Sequence, residues 1–123
     1  MAMRSVVLSM SRGNIVLDEN LRNLKAGLQS KNIRVFEAPD ELSDDLVAVF
    51  SSGRILITNN TQDFRQAAIE HEFGIIATEG CNTQDAQALT SRISRALTEH
   101  SLWSQTKPFI FHLSNSHLEI LSE

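Results

Sequence analysis

The segment RILITNNTQDF, Arg54 to Phe64, decides how the chain is read. A short run of apolar residues leads into Thr58-Asn59-Asn60, and an acid, Asp63, then sits beside the bulky Phe64. Apolar runs of this length, bounded by polar turn formers, suit a strand buried on both faces. The residues from Thr61 onward, TQDFRQAAIEHE, have the composition of a helix. One stretch therefore holds a strand, a polar edge and the start of a helix.

The same alternation extends in both directions. Upstream, NIVL (14–17) reads as a strand and ENLRNLKAGLQSK (19–31) as a helix, with Leu21, Leu24 and Leu28 at helical spacing. IRVFE (33–37) alternates as a second strand. Pro39 and the 40–43 segment then punctuate the chain before a short helix over 44–52 that ends at Gly53. Downstream, the helix over 61–72 closes at Gly74, GIIAT (74–78) reads as a fourth strand, and Leu89, Ile93 and Leu97 mark a helix over roughly 83–101.

Short apolar strands separated by helices predict a three-layer α/β/α fold with a mainly parallel central sheet. The tail, PFIFHLSNSHLEIL (108–121), alternates on both sides of Ser114-Asn115 and predicts a C-terminal β-hairpin. Its turn puts Phe109, Phe111, Leu118 and Ile120 on one face, at a sheet edge.

At 123 residues the chain fits one domain over 1–123, with 1–12 an extra edge strand or a loose arm. A composition 41% apolar and 21% charged is that of a globular protein. The formal net charge of -4 argues against a broad nucleic-acid footprint, so any RNA contact has to be local or metal-assisted. The lone Cys81 forms no internal disulfide and suits a reducing compartment. The opening apolar run is broken at Ser9, Ser11, Arg12 and Gly13, short of a signal peptide, and no stretch reaches membrane-spanning length. The expectation is a cytoplasmic protein without a membrane partner.

In an open parallel sheet, ligands bind beyond the carboxyl ends of the strands. Three polar clusters fall there: Asp18-Glu19-Asn20, Ser43-Asp44-Asp45, and Thr58 through Asp63. Gathered carboxylates repel one another unless a cation compensates them, and an all-oxygen set suits Mg²⁺ or Mn²⁺. The matching chemistry is metal-assisted phosphodiester hydrolysis. Each cluster also has a purely structural reading. Ser43 with two acids behind it, Asn60 with Asp63 three residues on, and Asp18 before a helix are all ordinary helix starts.

Taken together, IVLDENLRNLKAGL, ELSDDLVAVFSSGRILITNNTQDFRQAA and GIIAT resemble the PIN domain superfamily. The likeness is greatest to the short bacterial PIN-like proteins related to toxin ribonucleases of toxin–antitoxin pairs, and it covers about residues 14 to 78. It matches Asp18 to the acid ending the first strand and Asp44, with Asp45 adjacent, to the acid opening the helix before the Thr-containing strand. Asn60 and Asp63 match the polar positions after that strand, with Asn60 standing where many members carry Asp. Asp18, Asp44, Asp63 and Asn60 are then the catalytic set. Asp18, Asp44, Asp45 and Asp63 hold the metal, and Glu19 and Thr58 support them. A further acid between Asp18 and Asp44 has only Glu19, Glu37 and Asp40 as candidates. The resemblance implies a Mg²⁺- or Mn²⁺-dependent nuclease acting on single-stranded RNA, commonly a homodimer, with an antitoxin protein as a partner.

The alternatives come from other classes. One is a PIN-like binding module that hydrolyses nothing. Another is a phosphoacceptor receiver, which expects a Lys after a later strand, whereas neither Thr78 nor Leu113 is followed by one. His112 and His117 face each other across the hairpin, which suits a surface pair better than Zn²⁺ because a third ligand is lacking nearby. The exposed part of LVAVF (46–50) or Leu102-Trp103 is the candidate dimer face, and Trp103 and the Phe residues suit core or that face better than a base-stacking platform.

Overall fold

The computed structural model describes residues 14–37 and 43–122, so the arm over 1–12, Pro39 and Asp40 lie outside the described residues. Among the described residues the order is β1 (Asn14–Leu17), a 3₁₀ segment (Glu19–Leu24), α1 (Lys25–Ser30), β2 (Arg34–Glu37), α2 (Asp44–Ser51) and β3 (Ile55–Thr58). It continues with α3 (Thr61–His71), β4 (Gly74–Ala77), α4 (Ala86–Glu99), a 3₁₀ turn (Leu102–Ser104), β5 (Phe109–His112) and β6 (His117–Ile120).

The strands form one sheet in the order β2-β1-β3-β4-β5-β6. Every pairing is parallel except the terminal β5–β6 hairpin. The expected α/β/α class and its closing hairpin are both present. β1 is interior but second from the edge, so the centre of the sheet belongs to β3 and β4. The chain steps one way from β1 to β2 and the other way from β3 onward. That reversal is the switch point at which a doubly wound sheet opens a crevice between strand ends.

Two apolar layers follow from the alternation along each strand. Ile15, Leu17, Ile55, Ile57, Ile76, Phe109 and Phe111 face one side, where Leu21, Leu24, Leu28 and the α4 residues Leu89, Ile93 and Leu97 cover them. Val16, Leu56, Ile75, Ala77 and Ile110 face the other, under Val47 and Ala48 of α2 and Phe64 and Ala68 of α3. β3 and β4 are buried at all four positions, because helices cover both of their faces.

Several element boundaries differ from the periodicity. The helix expected over 19–31 is divided, with Leu21 at non-helical φ -117° and ψ 18°. Leu21 and Leu24 are spaced by the three residues of a 3₁₀ turn, Leu24 and Leu28 by the four of an α-turn, and all three are fully buried. The helix expected over 83–101 begins only at Ala86. Asn82 Oδ1 accepts from the Gln84 N–H in a local turn, and Asp85 then caps α4 by accepting from the Ala88 N–H. α3 closes at Glu72 in the left-handed region, not at Gly74. Gly74 opens β4, and a Cβ there would lie 2.2 Å from the Phe109 ring.

The hairpin turn occupies 113–116, wider than Ser114-Asn115 alone, with Ser116 at φ 52°. Its apolar pairs are as expected, Phe109 opposite Ile120 and Phe111 opposite Leu118. No helix among the described residues is long and apolar enough to cross a membrane.

Candidate active site at the carboxyl edge

The switch point between β1 and β3 carries a connected chain of polar groups. The Asp18 N–H donates to the Ile57 carbonyl at 3.1 Å, which extends the parallel pairing by one residue and holds Asp18 against the end of β3. The buried Thr58 hydroxyl donates to Asp18 Oδ2 at 2.7 Å and accepts from the Asn60 N–H at 3.0 Å. The Asn60 side-chain amide donates to Asp63 Oδ2 at 2.6 Å. Thr58 and Asn60 thus link the half-buried Asp18 to the exposed Asp63. On the neighbouring loops the Asn20 amide donates to Asn59 Oδ1 at 2.9 Å.

Asp44 joins this group through space. Its carboxyl titrates above the usual aspartate range, because of partial burial first and then the charges of Asp63, Asp18 and Asp45. Asp18, Asp44 and Asp63, from three different loops, are thus near enough for Asp44 to feel the other two charges, and Asp45 adjoins Asp44 in sequence. Glu19 is exposed, and its described contact is a backbone one: its N–H donates to Asp18 Oδ1 at 2.9 Å. Its side chain has no described bond into the cluster.

The structural readings of these residues separate here. At α2 the structural reading holds, since Ser43 is the cap, accepting from the Leu46 N–H at 3.4 Å, and Asp44 and Asp45 occupy the first turn. At α3, Asn60 occupies the cap position but makes no side-chain capping bond. The capping is done by Glu79, which follows β4. It accepts from the Thr61 N–H at 3.0 Å with one oxygen and from the Thr61 hydroxyl with the other. Only Asp18 does both jobs, capping the 3₁₀ segment while receiving the Thr58 hydroxyl.

Glu79 was not singled out from sequence. Its place directly after the fourth strand is the signal that marked Asp18, and Thr78-Glu79-Gly80 carries it. Beyond it, Arg65 of α3 forms a two-pronged ion pair with Glu119 of β6, Nη1 to Oε2 at 2.5 Å and Nη2 to Oε1 at 3.0 Å. His112 Nε2 also meets Glu119 Oε1 at 3.0 Å. His112 and His117 stack as expected with ring centroids 5.9 Å apart.

The bonds to Arg65 and then His112 hold the Glu119 carboxyl down at about 2, from an ordinary 4.5. Because its folded value is the lower, Glu119 stabilises the protein above pH 4.5 and loses that contribution as pH falls toward 2. Both partners are about a third exposed, so solvent reduces the gain to about 1 kcal/mol. Denaturant melts of wild type and Glu119→Gln should differ by about that much at neutral pH and converge between pH 4.5 and 2. A difference independent of pH would show that the carboxylate charge is not what matters.

Among the described residues, no three His, Cys, Asp or Glu side chains are close enough to form a ready-made cage. The donor chemistry nevertheless fits a hard dication. Mg²⁺ keeps several waters and takes only one or two carboxylates directly. Asp18 is fixed by two hydrogen bonds while its oxygens keep spare lone pairs, and the Asp44 carboxyl, partly buried, lies within the field of the Asp63, Asp18 and Asp45 charges. A receiver-type phosphoacceptor is disfavoured, since β3 ends at Thr58 and the residues directly after it are Asn59, Asn60 and Thr61, with no carboxylate to take a phosphoryl group. Comparisons of the chain with family models, with curated proteins and with solved structures return no match.

Proposed function

We propose that the chain is a PIN-like, Mg²⁺- or Mn²⁺-dependent ribonuclease acting on single-stranded RNA. The observation that supports this most is the polar chain from Asp18 through Thr58 and Asn60 to Asp63, with Asp44 electrostatically coupled to it, at the switch point of a parallel sheet. Capping alone does not account for the Asn60 side chain, which bonds the Asp63 carboxylate and no backbone N–H of α3.

Each residue has a definable task. Asp18, locked by the Thr58 hydroxyl and the Glu19 N–H, would be the fixed ligand. Asp63, oriented by the Asn60 amide, and Asp44, with Asp45 beside it, would hold the metal directly or through water. A bound Mg²⁺ or Mn²⁺ supplies a water of lowered pKa and neutralises charge building on the phosphate. The Asn60 amide contributes a neutral donor and acceptor, one negative charge fewer than Asp would give.

Incubating the purified protein with a pool of single-stranded RNAs, with Mn²⁺ and with EDTA, tests the reading. Metal-dependent cleavage is expected. Asn60→Asp is expected to tighten Mn²⁺ binding in calorimetry by about tenfold, the added carboxylate being worth roughly 1.4 kcal/mol. Protein that neither binds Mn²⁺ nor cuts any RNA, with Asn60→Asp equally inert, would leave the PIN-like binding module as the better reading.

Association with a second copy belongs to the same proposal, as do an antitoxin partner and a cytoplasmic location. Leu102 is 1% exposed and belongs to the core, which removes it from any dimer face. Leu46 at 49% and Val49 at 56%, on the outer side of α2, and Phe36 at 46% on β2 are the exposed large apolar residues of that region. Light scattering at micromolar concentration should give twice the 13.7 kDa chain mass. A monomer mass there would reject the dimer.

A further inference from the structure

Beside the acid cluster, on the other side of the first turn of α3, lies a cavity of about 270 Å³ lined by Gln62, Arg65, Ala77, Glu79, His112 and Ser114, with Thr61 at its rim. Gln62 and Asp63 are consecutive, so the cavity and the cluster lie within one helical turn, about 5.4 Å of axis. The two are therefore successive stations along one carboxyl edge, and apart from Glu79, which caps α3, the groups of the second are required by neither metal chemistry nor helix capping.

Its charges are internally balanced. Arg65 is paired in a fork with Glu119, and the Glu79 carboxylate faces the N-terminus of α3 through Thr61. A phosphate would find no uncompensated cation here. What remains is a set of directional hydrogen-bonding groups: the Gln62 amide, the Ser114 hydroxyl, the Arg65 N–H groups that Glu119 does not use, and the imidazole nitrogen of His112 that Glu119 leaves free. Glu119 holds Arg65 and His112 at once, so both present their groups in fixed directions. Donors and acceptors held rigidly around a cavity of this size suit the polar edge of a flat heterocycle, not a point charge.

We infer that this cavity is a base-reading subsite, taking the base of a nucleotide adjoining the phosphate that a dication at Asp18, Asp44 and Asp63 would hold. The inference rests on the proposed action at single-stranded RNA. Gln62 and His112 are then specificity-determining residues, and Arg65 and Glu119 are positioning residues.

The test measures fluorescence-anisotropy affinities of the full chain for short single-stranded oligomers of A, C, G and U. Ca²⁺ replaces Mn²⁺ as the hard dication, and Mn²⁺ binding is measured separately by calorimetry. Wild type should prefer one base over the poorest by about tenfold, the lower end of what a well-formed edge contact gives. Gln62→Ala and His112→Ala should compress that ratio to about twofold without moving the Mn²⁺ affinity. Gln62 is exposed, so Gln62→Ala remains informative if His112→Ala loosens the hairpin. Equal wild-type affinity for all four oligomers, or a preference that survives Gln62→Ala, would overturn the subsite alone. Absence of RNA binding by wild type would overturn both the subsite and the ribonuclease reading.

Discussion

Asp18→Asn is expected to reduce Mn²⁺-dependent cleavage of single-stranded RNA by at least about a hundredfold, the scale on which a fixed electrostatic group contributes to a transition state. The substitution keeps the volume and removes the charge. It also leaves one side-chain oxygen that can still accept from the Glu19 N–H, so the cap of the 3₁₀ segment is largely retained. The lost partner is the Thr58 hydroxyl, whose donation at 2.7 Å then has an amide in place of one carboxylate oxygen. A stability loss of about 1 kcal/mol is the expected ceiling. Circular dichroism and a urea melt close to wild type, together with lost cleavage and weakened Mn²⁺ binding, would match the assignment. Full activity in Asp18→Asn would remove Asp18 from the metal set.

Gly74→Ala is expected to give the largest single loss of stability outside the site. An added Cβ would lie 2.2 Å from two carbons of the Phe109 ring and 2.9 Å from a third. Gly74 on β4 is paired directly with Phe109 on β5, and that side chain is 3% exposed within the main apolar layer. The ring is largely buried but borders, together with Gly74, a cavity of about 320 Å³ into which it can shift in part, so the overpacking should cost about 2 kcal/mol. For a protein held by roughly 5–15 kcal/mol that is a large fraction of the total. Phe109→Leu in the same chain should recover part of the loss, and the double-mutant cycle would report the contact itself. A Gly74→Ala melt within about 0.5 kcal/mol of wild type would mean that the strands separate without cost at this point.

The order of strands and helices was legible in the sequence because both local signals agree with the global fold. Strands such as ILIT and GIIA carry a continuous apolar run that only burial on both faces explains, and the helices between them have the length a parallel crossover requires. The carboxyl-edge rule then marked Asp18, Thr58, Asn60 and Asp63 without coordinates, because chain direction alone decides which end of a parallel strand a loop follows.

Other features depended on three-dimensional packing. The division of the expected helix at Leu21, whose φ and ψ are non-helical, is not expressed by the spacing of Leu21, Leu24 and Leu28, which an unbroken α-helix would also satisfy. The closure of α3 at Glu72 frees Gly74 for a contact with a residue 35 positions later in the chain, Phe109. Ser43 caps α2 as its place in the sequence expects, but Glu79 makes the side-chain bond to the start of α3 for which Asn60 was the local candidate, and only the fold brings Glu79 there. Arg65, His112 and Glu119 come from a helix and both arms of the hairpin. Their joint placement depends on the hairpin closing the far edge of the sheet. Residue type and local spacing were sufficient to name the groups with chemistry. Which of them cap, which are linked and which face a cavity depended on contacts between residues far apart in the chain, and these form only once both faces of the sheet are covered.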